Sequence, residues 1–264
     1  MKINEIITHL AKEGTWVNWD KTRDVVLFGE TDKEITNVGV CWILTDKAID
    51  QAIKHNINFV VTHENCFYFE STHQYRLLLE SRIRKQERLK QHDITVYRSH
   101  DVWDYVAGVG NLDSFKNALQ LDFQPRSVNE KYSVAYFDKR PVKELAQRVA
   151  KALSVFGQSH AEVLGDPLTM VGSLAIGIGA ACNVFDMLKY PNVDCILVSD
   201  DGACNWVEHQ YCLDNNIALI IVHHSINEIL GMNSMAAYLQ KAFPKLDISY
   251  LDEGFEYHII QNDK

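Results

Sequence analysis

Three short apolar runs of this chain superpose on one another without gaps, and each ends in a histidine. The runs are INFVVTH, ITVYRSH and IALIIVH, which start at Ile57, Ile94 and Ile217 and end at His63, His100 and His223. A polar pair that closes a helical pattern precedes each run. The repeat predicts an internal duplication or one αβ unit used three times. Either way, it restricts the chain to an architecture in which helices and strands alternate.

Short β-rich runs and helical patterns alternate along most of the sequence, which favours βαβ units and mostly parallel or mixed sheets. Strands are predicted at Val38–Leu44, Asn58–Thr62, Thr95–Arg98, Ser133–Phe137, Ser173–Ile176, Asp194–Val198, Ala218–Val222, Ile248–Leu251 and Tyr257–Ile260. The runs FVV and LIIV show little polar alternation, as expected of strands that are covered on both faces. The sequence therefore predicts an α/β protein.

The apolar pattern is interrupted around residues 124–129, where the sequence QPRSVN contains a proline and few apolar side chains. We expect two α/β lobes, residues 1–125 and 126–264, to meet there. The chain has 264 residues, of which 47% are hydrophobic, and this is ample for a buried core in each lobe.

Composition disfavours two classes of partner. The net charge is −9, so the basic surface that nucleic-acid binding requires is not indicated. No apolar run approaches the ~20 residues of a membrane span, and the N-terminus lacks the apolar core of a signal peptide. Six cysteines form no C-x-x-C pair, which is typical of reduced thiols that pack in a core. We therefore expect a cytoplasmic protein with a small-molecule ligand.

The predicted strand ends carry imidazoles and carboxylates at matching positions. The first presents His63 beside Glu64. The other two present histidine–acid pairs four residues apart, which one helical turn would bring together: His100 with Asp104, and His224 with Glu228. Ligands of open α/β sheets bind beyond the carboxyl ends of strands. Mixed imidazole and carboxylate donors suit zinc, manganese or iron better than calcium, and carboxylates can bridge two ions.

Other interpretations of these residues stay open. A histidine at a strand end is more often a hydrogen-bonded structural residue than a ligand. The Gly177–Gly179 segment follows a strand and favours a tight βα turn over a phosphate-binding loop. Asp200 or Asp201 is expected to cap the next helix or to face the crevice.

Five motifs resemble the GTP cyclohydrolase I type 2 homologue family, also called the Nif-three-like dinuclear-metal proteins. They are VTHEN at residues 61–65, SHDVWD at 99–104, GVGNL at 108–112, GIGAA at 177–181 and HSINEILG at 224–231. The resemblance covers nearly the whole chain. It implies metal ligation by His63, Glu64, Asp104, His224 and Glu228, with His100 as a neighbouring or substrate-facing residue.

The chain departs from the family pattern at three of these positions. Glu64 stands where a second histidine is usual, His223 replaces a glycine and Asn227 replaces a small hydroxyl residue. Glu64 makes the site more anionic, which favours manganese, iron or magnesium over zinc. The number of bound ions stays open between one and two, and His223 is a candidate substitute ligand.

The resemblance also implies two interlinked lobes of a Nif-three-like fold, with residues from about 223 to 264 returning metal ligands to the first lobe. It implies a toroidal homohexamer. Two functional hypotheses follow. The first is a metal-dependent hydrolase of a small nucleotide- or phosphate-like substrate, in which His100 transfers protons because imidazole titrates near neutral pH. The second is a non-catalytic metal-binding regulatory or interaction protein.

Overall fold

The computed structural model describes residues 1–68, 75–260 and 262. Contacts divide the chain into two units, each built from two segments. The first comprises Met1–Gly110 and Gly231–Gly254, and the second comprises Asn111–Leu230 and Phe255–Lys264. These bounds differ from those of the lobes expected from the sequence, whose division at residue 125 stays a prediction.

The first unit contains a five-stranded mixed sheet in the order β1-β4-β3-β2-β10. Its strands are β1 (Val25–Phe28), β2 (Asn37–Cys41), β3 (Phe59–Thr62), β4 (Thr95–Arg98) and β10 (Asp247–Tyr250), and its helices are α1 (Ile3–Glu13), α2 (Asp46–Lys54) and α3 (Arg76–Gln91). All neighbouring pairs are parallel except β1 with β4. Both β3 and β4 are buried along their whole length, as expected of strands that lie inside a sheet covered on both faces.

The second unit contains another five-stranded mixed sheet, in the order β5-β7-β8-β9-β6. Its strands are β5 (Ser133–Pro141), β6 (Glu162–Leu164), β7 (Met170–Ile176), β8 (Cys195–Ser199) and β9 (Ala218–Val222), and its helices are α4 (Asn111–Leu119), α5 (Val142–Leu153), α6 (Val184–Met187), α7 (Trp206–Asp214) and the first turns of α8 (His224–Ala242). The central β7, β8 and β9 are parallel, and the edge strands β5 and β6 are antiparallel.

The three superposable runs of the sequence enter their strands through the same helix ending. Residues Asn56, Asp93 and Asn216 each adopt a positive φ, of 54°, 51° and 55°. The next backbone N–H, that of an isoleucine in every case, donates to the carbonyl five residues earlier, at 2.8, 2.9 and 2.9 Å. This is the Schellman ending, in which a left-handed residue closes the helix and an apolar residue packs back on it. One αβ unit is therefore used three times.

The α/β class with mixed sheets is confirmed, and most predicted strands are present. The predicted strand Tyr257–Ile260 is wrong, because only Tyr257 pairs there, in an isolated bridge with Gln158. The sequence missed β1 and β6. Both are short antiparallel edge strands whose side chains are exposed or half-buried. β6 has only three residues, whereas β1 carries the short apolar run VVLF, which is not among the predicted strands.

Among the residues that the structure describes, none of the helices combines the length and hydropathy needed to cross a bilayer.

Candidate metal centre

His63 follows β3 and is fully buried. Its Nδ1 lies 3.2 Å from the carbonyl oxygen of Ser99, which is at the end of the neighbouring strand β4. Because a carbonyl only accepts, Nδ1 carries the proton, and Nε2 is the unprotonated nitrogen that can bind a cation. Nε2 lies 3.4 Å from Oδ1 of Asp104. Because β3 and β4 are parallel, the residues that follow them lie at the same edge of the sheet. Nε2 of the His63 ring therefore faces the Asp104 carboxylate.

His100 completes this first-unit cluster. Its ring stacks on that of His63 with centroids 4.3 Å apart. Its Nδ1 lies 3.1 Å from Asp101 and 3.5 Å from Asp104, and its Nε2 lies 3.6 Å from Oε1 of Glu64. A single turn, closed by the Asp104 N–H donating to the His100 carbonyl at 3.1 Å, replaces the helix expected after this strand.

Potential ligand atoms of His63, His100 and Asp104 all lie within 4.8 Å of one another. The structure therefore places His100 among the possible ligands, whereas the sequence expects it beside them. Its role in proton transfer stays a prediction.

The charge of this cluster dominates the titration of His100. Burial alone would lower the pKa of the ring, but the carboxylates of Asp104, Asp101 and Glu64 outweigh burial and raise the pKa to about 10. The guanidinium of Arg23 lies beside the same ring, with Nη1 3.2 Å from Nε2. A divalent ion would compensate for the same carboxylates.

In the second unit, His224 is the first residue of α8, and only His223 separates it from the end of β9. Its Nδ1 lies 2.6 Å from Oδ2 of Asp201, and its Nε2 lies 2.9 Å from Oε2 of Glu228, one turn further along the helix. Asp200 accepts from the backbone N–H of His224 at 2.9 Å and so caps α8, rather than the next helix. A carboxylate behind the distal nitrogen is the usual support of a metal-binding histidine.

Gly179 approaches this pair closely. It follows β7 in a short 3-10 turn and has a φ of +50°. A Cβ atom at this position would lie 2.1 Å from Oε1 of Glu228 and 2.7 Å from Nε2 of His224. Its backbone is held by Ser199, whose hydroxyl donates to the Gly179 carbonyl at 2.6 Å. The segment is thus a tight turn that packs directly against the His224–Glu228 pair, where no side chain larger than that of glycine fits.

His223 lies beside this pair with contacts of its own. Its Nδ1 lies 3.2 Å from Oδ2 of Asp200, and its ring stacks on Tyr257 with centroids 3.6 Å apart. That His223 acts as a substitute metal ligand stays a prediction.

The donor atoms of both units suit a divalent transition metal. Each pair joins an imidazole, whose Nδ1–H is committed elsewhere, to a carboxylate oxygen 3.4 or 2.9 Å from Nε2. One ion with bonds of ~2.0–2.2 Å to nitrogen and oxygen can span either separation. The sequence predicts that the two sets share one or two adjoining ions, and this stays a prediction.

Sequence reasoning missed Asp24, which is buried and supports the turn after β4. Its carboxylate accepts from the backbone N–H groups of His100 at 3.1 Å and of Asp101 at 2.7 Å. No local pattern marks it, because its partners lie far along the chain. The sequence offers Asp201 only as a cap or a crevice-facing residue, and its contact with His224 depends on the loops after two neighbouring strands.

Comparison with known proteins shows the family to which this chain belongs. The family model described as Duf34/NIF3 (NGG1p interacting factor 3) matches residues 1–253. The chain belongs to the NIF3 family. A similar NIF3-family relative is a protein of Streptomyces coelicolor named GTP cyclohydrolase 1 type 2 homolog, which is 25% identical over 97% of this chain and 88% of its own length. A protein of the same name from Clostridium acetobutylicum is 22% identical over 85% of this chain and 84% of its own length.

Solved structures of the NIF3 family share the fold. A Bacillus cereus protein related to NIF3 has a TM-score of 0.75 at 13% identity and covers 100% of this chain and 99% of its own. Reduced HcgD from Methanocaldococcus jannaschii has a TM-score of 0.68 at 19% identity, with 96% of this chain and 98% of its own covered. At these identities the likeness supports the fold alone.

Proposed function

We propose that this NIF3 family protein binds one or two divalent metal ions through His63, Glu64, Asp104, His224 and Glu228, and hydrolyses a small nucleotide- or phosphate-like substrate. The observation that carries the proposal is the pairing of each buried or half-buried imidazole with a carboxylate, while a second acceptor fixes its Nδ1–H. Structural histidines need only one such partner. An imidazole held between two acceptors suits a site that is built to receive a cation.

A bound divalent ion would supply Lewis acidity, which polarises a scissile group and acidifies water. The protein's own residues perform the other tasks. Asp201 and the Ser99 carbonyl keep the two ligand imidazoles in the tautomer whose Nε2 is unprotonated. His100, which lies against the carboxylates of Asp101 and Asp104, is the group placed to move a proton to or from the substrate.

The donor set guides the choice of metal. Glu64 supplies an oxygen where the family usually supplies a second imidazole nitrogen. Oxygen donors favour manganese, iron or magnesium over zinc. We expect at least one ion per chain, with a second that depends on whether Glu64 ligates.

Elemental analysis of purified protein tests the metal site. Wild type is expected to retain at least one equivalent of a divalent metal after dialysis, and His224→Ala and Asp104→Ala are expected to retain less. A screen of metal-loaded protein against nucleotides, GTP included, then tests catalysis. Turnover that is lost in Asp104→Ala supports the proposal, and full turnover in that variant refutes it.

The second candidate function is metal binding without catalysis, in a regulatory or interaction protein. The presence of Glu64 favours it, because an additional anionic ligand can saturate an ion and exclude substrate. Relaxation of water protons by the manganese-loaded protein separates the two. An exchangeable water on the ion supports the hydrolase, and its absence supports the second function.

The resemblance also supports a homohexamer as the assembled state. Native mass spectrometry at micromolar concentration tests this, and a monomeric mass there refutes it.

A further inference from the structure

Arg23 presents a guanidinium at the edge of the first-unit cluster. Its Nη1 lies 3.2 Å from Nε2 of His100, and that nitrogen lies 3.6 Å from Oε1 of Glu64. Arg23 itself is exposed, whereas His100 is buried. A molecule that approaches His100 from solvent therefore meets the Arg23 side chain beside it.

The backbone of Arg23 is fixed by the same segment that carries His100. Its N–H donates to Oδ2 of Asp101 at 2.9 Å, and its carbonyl accepts from Nε of the buried Arg98. The carboxylate of the next residue, Asp24, accepts hydrogen bonds from the backbone N–H groups of His100 and Asp101. The arginine is thus anchored at both its main-chain groups, and only its side chain is free to adapt.

The charge of Arg23 is not used in an ion pair. Among the residues that the structure describes, none places a carboxylate within ion-pairing distance of its guanidinium. Three other arginines of the first unit are in ion pairs: Arg76 with Glu80, Arg84 with Asp46, and Arg88 with Asp46 and Asp50. Two more are occupied differently, since Arg82 lies over the Phe67 ring and Arg98 donates to the Arg23 carbonyl. A guanidinium carries five N–H donors in a planar fork, and the contact with His100 occupies one nitrogen.

We propose that Arg23 binds an oxyanion, a phosphate or a carboxylate group, of the molecule that reaches His100 and the metal ligands. This assignment rests on the proposed function, and it adds that the substrate is an anion. The planar fork matches two oxygens of either group, and such charge-assisted pairs are the strong ones. The protein carries a net charge of −9, so an anionic substrate needs a local cation at the point of entry.

Calorimetric titration tests the proposal, with inorganic phosphate and, in a separate arm, acetate as the added anions. The proteins are manganese-loaded and metal-free forms of wild type, Arg23→Gln, Arg23→Lys and Arg84→Gln. The last is a matched control, since it removes the same charge from an exposed arginine on α3. Metal content is measured on every sample, because Arg23 is not a ligand and its variants should load as wild type does.

We expect Arg23→Gln to weaken phosphate binding by at least about tenfold, Arg23→Lys to weaken it less, and Arg84→Gln to leave it unchanged. The anion that binds wild type more tightly identifies the oxyanion. Equal phosphate affinity of wild type and Arg23→Gln overturns the proposal, as does the lack of binding of either anion to wild type at about 10 mM. If the protein takes up no metal but binds phosphate through Arg23, the proposed function alone fails.

Discussion

Nδ1 of His224 lies 2.6 Å from Oδ2 of Asp201, and the two residues come from loops that follow different strands of the second sheet. The contact fixes the ring so that Nε2 faces Glu228. Asp201 therefore acts through His224, as a positioning residue rather than as a ligand.

Replacement of Asp201 by asparagine is expected to weaken metal binding by about 10- to 100-fold, because the imidazole loses the anion that orients it and raises its basicity. Competition with a chromogenic chelator measures the affinity. Asp214→Asn is the control, since Asp214 is exposed on α7 and its carboxylate accepts one hydrogen bond within the described part of the chain, from Gln210 at 3.4 Å. If Asp201→Asn and the control bind metal with equal affinity, the role assigned to Asp201 is wrong.

Gly179→Ala is expected to remove the metal and to lower the melting temperature. The added Cβ would lie 2.1 Å from the Glu228 carboxylate, and a φ of +50° is strained for alanine. Gly108→Ala separates the two effects, because Gly108 has a φ of +79° but a Cβ added there would meet nothing within 4 Å. We expect Gly108→Ala to lose stability and keep its metal. Wild-type metal content in Gly179→Ala would contradict the steric argument.

Asp24→Ala is expected to lower the free energy of unfolding by about 2 kcal/mol, since it leaves two backbone N–H groups without their acceptor. Metal affinity should fall with it, because the turn that carries His100 and Asp104 loosens. Urea denaturation measures the stability, and Asp20→Ala, at an exposed position nearby, is the control. A loss no greater than that of the control would show that water replaces the carboxylate at no cost.

The free energy of unfolding is expected to fall as pH rises, because the buried carboxyl of Glu253 loses its proton. Burial raises the pKa of its carboxyl from 4.5 to about 7, although hydrogen bonds from Tyr250 and the Trp42 N–H partly oppose the rise. The folded state therefore holds a proton that the unfolded state releases. The stabilisation is complete below pH 4.5 and is lost as pH increases to about 7, a change on the order of 3 kcal/mol.

Urea denaturation between pH 4.5 and 8 measures this dependence. Glu253→Gln keeps the side-chain shape without the titration, so its stability should vary less over this range. The same slope in both proteins would exclude Glu253 as the cause. Glu253→Gln is a suitable variant because its amide oxygen can still accept from the Trp42 N–H.

The sequence by itself determined the three αβ units and the positions of their histidines. Each unit depends on neighbouring residues: a helix that ends at a left-handed Asn or Asp, an isoleucine that packs back, and an apolar strand. The pairing of His224 with Glu228 was also predictable, because one helical turn joins them. Local patterns of this kind are readable since the interacting groups are close along the chain.

Only the tertiary structure decided what holds these side chains in place. Asp24 lies far from His100 in sequence, Asp201 far from His224, and Gly179 far from Glu228, so no spacing relates them. Sheet pairing brings them together, because the strands next to these residues are separate along the chain but are neighbours, or one strand apart, in the sheets. The sequence contains the residue types that a metal requires. The tautomers of the histidines, the carboxylates that hold them in place and the close approach of Gly179 depend on contacts that exist only in the folded chain.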